Sequence, residues 1–274
     1  MKFKALFVIF NIVLILSFLT IFFLPFFLLD AAFMLEFWRK NWYFAAVFAI
    51  VLAVVNGLFA SQWKLLSCLE REDWPALARH LESTVITKGR YTKRSVRLYC
   101  DALILLSDFE GVKKLSTALE GAKPALFAFF ASRFAAAAIL SGDFDRAYAI
   151  ATGAPEVRDP DSSEWRRFYA AFSRHLARKP EESAAGLESL AREARNPLVA
   201  VLAGYLCANS PKLTIDSRGD AREAAASEAR LRVCAVFTPD RWNRYVEESK
   251  ADMQVVILGK LIAEATAWLF AGEN

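Results

Sequence analysis

An uncharged run of 25 residues near the start of the chain constrains the fold more than any other feature of the sequence. Within residues 5–29, 20 of the 25 are Leu, Ile, Phe or Val. Because a helix needs about 20 apolar residues to cross the hydrocarbon core of a bilayer, this run predicts a membrane-spanning helix.

A cleaved signal peptide is the alternative. Its apolar stretch is about 7–15 residues long and precedes a small-residue cleavage site. This run is longer, and residues 29–32 do not have that pattern, so we expect the helix to be retained.

A second uncharged run, residues 41–63, predicts a second spanning helix. Aromatic residues that suit the headgroup region, Trp42, Tyr43 and Trp63, lie at its two ends. We therefore expect residues 1–63 to form a membrane anchor of two transmembrane helices joined by a short loop, and residues 64–274 to form a separate helical domain. Lys and Arg are more numerous on the two outer flanks than in the loop. By the positive-inside rule, the helical domain then lies in the cytoplasm, at a bacterial inner (plasma) membrane.

The charge balance of the helical domain excludes one class of partner. The whole chain has 34 Lys and Arg against 30 Asp and Glu, and four of the bases and two of the acids lie in the first 61 residues. The remainder is nearly neutral. General nucleic-acid binding needs a basic domain with its Lys and Arg gathered on one face, so we expect no nucleic-acid partner.

Three pairs of an acidic and an aromatic residue recur at 35-residue intervals after the anchor. They are Asp73-Trp74, Asp108-Phe109 and Asp143-Phe144. Each pair lies between two apolar helical patterns, which predicts three helical hairpins in which the acid caps the second helix. A fourth hairpin turns at Arg178-Lys179-Pro180, with Pro180 at an early helical position, and a fifth, weaker one covers residues 197–236.

The third of these turns, Gly142-Asp143-Phe144-Asp145-Arg146-Ala147, resembles the Gly-Asp-Tyr-x-x-Ala turn of the tetratricopeptide (TPR) family, whose period is 34 residues. The resemblance covers roughly residues 62–194. Ser107 and Glu72 stand where the turn glycine is expected in the second and first units. The resemblance implies an all-α fold, a TPR-like α-α hairpin solenoid, with a concave face that binds a protein partner. Two spans followed by such hairpins are also similar in layout to bacterial HemY-type membrane proteins.

Two further apolar segments need an assignment. The helix predicted over residues 124–140 is apolar nearly all round but contains Arg133, so we expect a buried inner helix of the stack rather than a third span.

Residues 253–271 contain Lys260 and Glu264, whose burial in lipid would cost as much free energy as the apolar residues gain. We expect this segment to be one amphipathic helix that caps the stack, with Lys260 and Glu264 exposed; docking on a partner or on the membrane surface is the alternative.

One stretch of the helical domain is strongly basic. Between Glu82 and Asp101 there are five bases and no acid. These bases are Lys88, Arg90, Lys93, Arg94 and Arg97, and we call residues 88–97 the basic segment. We interpret it as a possible contact site for a protein partner or for anionic lipid headgroups, each nearby base contributing about 1 kcal/mol to lipid binding. A solvated loop that only determines topology is the alternative.

The sequence contains no recognisable catalytic motif: GxGxxG, GxxxxGK[ST], HExxH, GxSxG and an EF-hand loop are all absent. The two histidines, His80 and His175, fit ordinary helix positions. Four cysteines are spread singly and indicate neither a metal site nor a disulfide framework, so we expect reduced core thiols. They are Cys68, Cys100, Cys207 and Cys234. We therefore predict no catalytic, cofactor-binding or metal-binding residue, and no enzyme.

The sequence favours a membrane-anchored scaffold or adaptor that binds a protein through its helical repeats, because stacked hairpins expose an extended concave face. Residues expected on that face are Lys93, Arg97, Arg133 and Arg166. The alternative is a structural subunit of a membrane complex assembled through its transmembrane helices, with Asn11 and Asn56 contacting partner helices. An enzyme is a third, weaker hypothesis.

Overall fold

A computed structural model describes residues 2–28, 31–156, 159–209 and 219–271, and all of their regular structure is helical. The expected all-α class is confirmed. The chain divides into two compact units, residues 1–80 and 81–274. The first contains α1 (Lys2–Leu28), α2 (Ala31–Glu70) and most of α3 (Trp74–Glu82). The described part of the second unit contains a π-helical turn (Ser83–Thr87), α4 (Lys93–Leu105), α5 (Phe109–Ala122), α6 (Pro124–Leu140), α7 (Phe144–Gly153), α8 (Pro160–Leu176), α9 (Pro180–Glu193), α10 (Pro197–Asn209), α11 (Gly219–Cys234), α12 (Pro239–Ser249), α13 (Met253–Ile257) and α14 (Gly259–Leu269).

The first unit is a pair of packed apolar helices. Phe7 of α1 stacks on Phe59 of α2, with ring centroids 3.7 Å apart. Within α2, the stretch Arg39–Ala60 is long and apolar enough to cross a membrane by length and composition. In α1, which is helical over Lys2–Leu28, the side chains that the structure describes form an apolar stretch over Phe7–Thr20. Length and composition therefore support the second predicted span, and the first predicted span is helical over its described residues.

The connection between the two predicted spans is not the short loop that we expected. Residues 31–40 are helical and continue into the apolar stretch through a kink at Asn41, whose φ of −119° and ψ of 15° are not helical. Asp30, and the end of the first run at Leu29, lie outside the described residues. Asn56 Nδ2 donates to Asn11 Oδ1 over 2.9 Å, so α1 and α2 also share a polar contact.

Four helices end in the same left-handed turn, at Glu72, Ser107, Gly142 and Arg178, with φ between 53° and 81°. At the second turn Ser107 N–H donates to Ile104 O over 2.9 Å and Asp108 N–H donates to Leu103 O over 2.9 Å. The other three turns repeat this pair of bonds, which defines the Schellman motif. Three of these turns adopt the glycine conformation with Glu72, Ser107 or Arg178 in place of glycine.

The acidic residue after each of the first three turns caps the next helix, as predicted. Asp73, Asp108 and Asp143 each accept a hydrogen bond from the backbone N–H three residues later, at 3.0, 2.9 and 3.1 Å. At the fourth turn Lys179 makes no such bond, and Pro180 occupies the first helical position. The hairpin boundaries inferred from the sequence are therefore confirmed at these four positions.

Helices of the second unit stack in chain order, each contacting the next from α4 to α11. The alternate helices α4, α6, α8 and α10 also contact one another in sequence. As expected, α6 is an inner helix: Phe130, Phe134 and the alanines after them are buried. Cys100 and Cys207 are buried thiols, whereas Cys68 and Cys234 are partly exposed; no disulfide joins these four residues.

The C-terminal segment differs from the single capping helix that we predicted. It is broken at Leu258 into α13 and α14. Helix α14 covers α10, where a Cβ at Gly204 would lie 3.1 Å from the Trp268 ring, and Lys260 and Glu264 are exposed as expected. Helix α13 instead returns to α6. The face of α6 that a TPR-like stack would leave open is therefore partly covered by the chain itself. The part of the fifth predicted hairpin that follows Asn209, residues 210–218, lies outside the described residues.

Candidate binding groove

A cavity of about 580 Å³ lies between α4, α6, the start of α8 and the segment that leads into α13. We call it the α4–α8 groove. Its lining includes four basic and three acidic side chains, two large aromatic rings and three uncharged polar side chains. These residues are Lys93, Arg94, Arg97, Phe129, Ser132, Arg133, Asp159, Asp161, Ser162, Trp165, Asp252 and Gln254.

The α4 wall of the groove is basic. Thr92 caps α4, and Lys93, Arg94 and Arg97 follow within its first two turns. The Lys93 ammonium lies 3.5 Å from the centroid of the Phe129 ring. The N-terminal end of a helix carries a partial positive charge, so bases here are unfavourable for the helix itself and add to its positive potential. An anionic group placed against this wall would relieve both effects.

Arg133 forms the floor of the groove and is not free to meet a partner. Its side chain is 9% exposed, and its guanidinium lies 3.5 Å from Asp101 Oδ1 and 3.0 Å from Asp252 Oδ1. Burial raises the pKa of Asp101, and this effect outweighs the opposing influence of Arg133 and Arg97. Beside this pair, Gln254 Nε2 donates to Ser132 Oγ over 2.7 Å. The Asp252 carboxylate and the Gln254 amide thus occupy part of the face that we expected to be concave and open.

The α8 wall is acidic. Asp159 precedes α8 and is exposed, while Asp161 accepts a hydrogen bond from Asn196 Nδ2. Burial raises the pKa of Asp161, Asn196 opposes this shift, and the charges of Asp159, Asp252 and Glu164 raise it further. The three carboxylates that line the groove are therefore those of Asp159, Asp161 and Asp252.

Glu164 does not form the capping box that its spacing from Asp161 would permit. Its carboxylate is buried and accepts the backbone N–H groups of Arg195 and Asn196, at 2.9 and 2.8 Å. These two residues lie just before α10, so Glu164 joins the start of α8 to the start of α10. A tertiary contact has replaced the local cap.

Several buried polar atoms around the groove make no hydrogen bond within the described part of the chain: Arg133 Nε, Asp101 Oδ1, Tyr169 OH and Gln254 Oε1. Buried polar groups are nearly always hydrogen-bonded in native proteins, and a few unsatisfied groups in one place call for an explanation. Gln254 is 3% exposed and lines the groove, and its carbonyl oxygen is buried there without a hydrogen-bond donor among the described residues.

The structure brings together only part of the basic segment. Lys93, Arg94 and Arg97 line the groove, whereas Lys88 and Arg90 lie on the exposed stretch that precedes α4. Arg166, which we expected on the concave face, instead donates to the carbonyl oxygens of Ala154 and Pro155 at 2.8 and 2.7 Å. Arg133 does face the groove, as expected, but it is engaged by Asp101 and Asp252 rather than available.

The acidic half of the groove was missed in the sequence. In the sequence, Asp159 and Asp161 flank Pro160, a pattern typical of a turn and a helix cap, and no pattern distinguishes Asp252 or Gln254. The only local signal was two acids beside Pro160; the bases that they face lie some 60 residues earlier. Neither His80 nor His175 lines the groove. Among the described residues, no group of three or more His, Cys, Asp or Glu could hold a metal ion.

The fold and the groove define a helical protein of stacked hairpins with a charged cleft on one face. The family model described as "Uncharacterised Treponema protein" matches residues 111–271, and the chain belongs to that family. A relative from Treponema pallidum (strain Nichols), described as an uncharacterized protein, is 34% identical over 234 residues, or 83% of this chain and 74% of the relative. No solved structure matches the chain.

Proposed function

We propose that this protein is a membrane-anchored adaptor whose TPR-like solenoid binds an acidic surface of another protein. In this proposal α1 and α2 form a two-helix anchor in a bacterial inner membrane, and residues 81–274 lie on the cytoplasmic side. The four Schellman turns at 35- or 36-residue intervals support the repeat, and the packed pair α1 and α2 supports the anchor. The proposal concerns binding and not catalysis.

The observation that carries the proposal is the exposure of unneutralised charge in the basic segment. Lys88 and Arg90 are exposed, lie outside the α4–α8 groove and form no ion pair within the described residues. No acid occurs in the sequence between Glu82 and Asp101, so the exposed stretch before α4 presents a field of one sign. Such a field attracts an acidic partner and speeds its association.

The same charges would also suit anionic lipid headgroups, so the test must separate a protein from a lipid. The alternative of assembly through the transmembrane helices has less support, because Asn11 and Asn56 bond to each other rather than facing outward.

The test is site-specific photocrosslinking of the full chain in living cells. Benzoylphenylalanine replaces Tyr91, a half-exposed aromatic residue between Arg90 and α4, and in a matched control it replaces the exposed Lys114 of α5. We expect a protein adduct at position 91 and not at 114, and we expect it to disappear when Lys88 and Arg90 are both changed to Glu. An adduct of lipid mass would instead support headgroup binding. No adduct at 91, or one that survives the charge reversal, would overturn the proposal.

A further inference from the structure

The groove is closed on one side by the chain itself, which changes what it can bind. An open concave face suits an extended peptide, but Asp252 and Gln254 reach α6 and turn this part of the face into a pocket. Its volume of about 580 Å³ falls within the range of small-molecule sites, about 300–1,000 Å³. The pocket is thus of a size to hold a compact ligand.

The charges of the pocket are separated by element. Three bases, Lys93, Arg94 and Arg97, stand on α4, and two acids, Asp159 and Asp161, stand at the start of α8. Helix α6 contacts both of these helices and supplies the floor between them. Arg94 and Asp159 make no ion pair within the described part of the chain, so each wall keeps charge that a ligand can neutralise.

A buried polar atom at the floor provides a second, independent observation. Gln254 Oε1 can accept a hydrogen bond but has no donor among the described residues, whereas Arg133 Nε is ion-paired with Asp101 Oδ1 at 3.5 Å. Both side chains line the pocket, with residue exposures of 3% and 7%. A ligand that brought a hydrogen-bond donor to Gln254 Oε1 would satisfy this acceptor.

We propose that this pocket binds a small dipolar molecule, with an anionic group against Arg94 and Arg97 and an ammonium group against Asp159 and Asp161. The anionic group is a carboxylate or a phosphate, since either one pairs with guanidinium groups. This site is distinct from the exposed part of the basic segment around Lys88 and Arg90. The pocket could therefore be occupied whether or not a protein partner binds there.

The test uses three probes with the same six-carbon chain and different ends: 6-aminohexanoate, adipate and hexane-1,6-diamine. Binding to the full chain in detergent micelles is measured by isothermal titration calorimetry. We expect 6-aminohexanoate to bind about five-fold more tightly than either probe with like charges, because a second, partly exposed ion pair adds a modest free energy. A fourth probe, 6-aminohexyl phosphate, shows whether phosphate or carboxylate is preferred.

Two neutralising variants assign the walls. Arg94→Gln should weaken 6-aminohexanoate and adipate but not the diamine, and Asp159→Asn should weaken 6-aminohexanoate and the diamine but not adipate. Both residues are exposed, so the helix content measured by circular dichroism should stay unchanged. Lys114→Gln, on the exposed surface of α5, is the matched control and should have no effect.

The inference is overturned if no probe binds, if the three six-carbon probes bind equally, or if adipate binds most tightly. It is also overturned if Lys114→Gln has the same effect as Arg94→Gln. The crosslinking at position 91 does not depend on these results, so either proposal can fail while the other stands.

Discussion

Asp145 shows how one exposed side chain can join two hairpins. Its carboxylate oxygen Oδ1 lies 2.6 Å from Arg174 Nη1 and 3.5 Å from Lys179 Nζ. The Arg174 guanidinium also lies 3.6 Å from the centroid of the Tyr148 ring. Asp145 and Tyr148 belong to α7, whereas Arg174 lies in the last turn of α8, so this cluster holds that turn against α7.

Replacing Asp145 with Asn should destabilise the fold in a pH-dependent way. The hydrogen bond from Arg174, with the charge of Lys179, holds the pKa of Asp145 below its ordinary value. A lowered pKa means that folding favours the carboxylate. Its contribution is therefore present above the pKa of the unfolded state and is lost as the pH falls through the lower folded value.

We expect Asp145→Asn to lower the melting temperature at neutral pH, and the difference from wild type to shrink as the pH falls below about 4, the ordinary pKa of aspartate. Thermal unfolding of the full chain, followed by circular dichroism at several pH values, measures this. Glu120→Gln is the control, because Glu120 is exposed on α5 and forms no ion pair within the described residues of the chain. A difference that persists unchanged in acid would contradict the interpretation.

At the scale of elements, the repeated turn governs how the hairpins form. Left-handed backbone costs a residue with a Cβ about 1 kcal/mol or more, so glycine is preferred at such a position. Glu72, Ser107 and Arg178 nevertheless adopt it, with φ of 53°, 56° and 59°. The two Schellman hydrogen bonds, and the aspartate cap that follows at the first two of these turns, outweigh that cost.

Exchanging residues at these turns should change stability in opposite directions. Ser107→Gly removes the Cβ from a left-handed position and should raise the free energy of unfolding by about 0.5–1 kcal/mol, whereas Gly142→Ala, at φ 81°, should lower it by about 1 kcal/mol or more. Denaturant unfolding of the full chain measures both.

Gly121→Ala is the matched control for these turn variants. Gly121 lies in α5, where its Cβ would meet nothing within 4 Å, so alanine should be neutral or stabilising there. If Gly142→Ala behaved like Gly121→Ala, the left-handed turn would not be a constraint on the hairpin.

The elements differ in how far they could be predicted from sequence. The caps at Asp108 and Asp143 depend on atoms three residues apart, and the 35-residue spacing reveals them. The docking of Asp252 and Gln254 on α6 joins residues 119 and 122 positions apart, and a short apolar stretch gives no sign of it. The periodicity of residues 253–271 predicts one helix, but the break at Leu258 follows from where α6 and α10 lie in the finished stack.

At the scale of the whole molecule, the proposed anchor would decide which compartment the second unit faces. The stretch Arg39–Ala60 is sufficient for one crossing. In α1 the side chains described over Phe7–Thr20 are apolar, and the contacts of this stretch with α2 include the bond between Asn11 and Asn56. Two asparagine side chains that hydrogen-bond to each other cost less free energy in lipid than two that have no partner. The bond between Asn11 and Asn56 therefore favours α1 and α2 crossing the membrane together as a packed hairpin.

Topology fusions distinguish one crossing from two. We expect GFP fused after Asn274 to fluoresce and alkaline phosphatase fused there to be inactive, because the more basic flanks stay in the cytoplasm. Phosphatase fused after Lys40 should be active, since α1 would then have carried it across the membrane. An inactive fusion after Lys40, with fluorescence after Asn274 retained, would show that α1 does not cross. Active phosphatase after Asn274 would reverse the orientation, and the acidic partner would then have to be sought outside the cytoplasm.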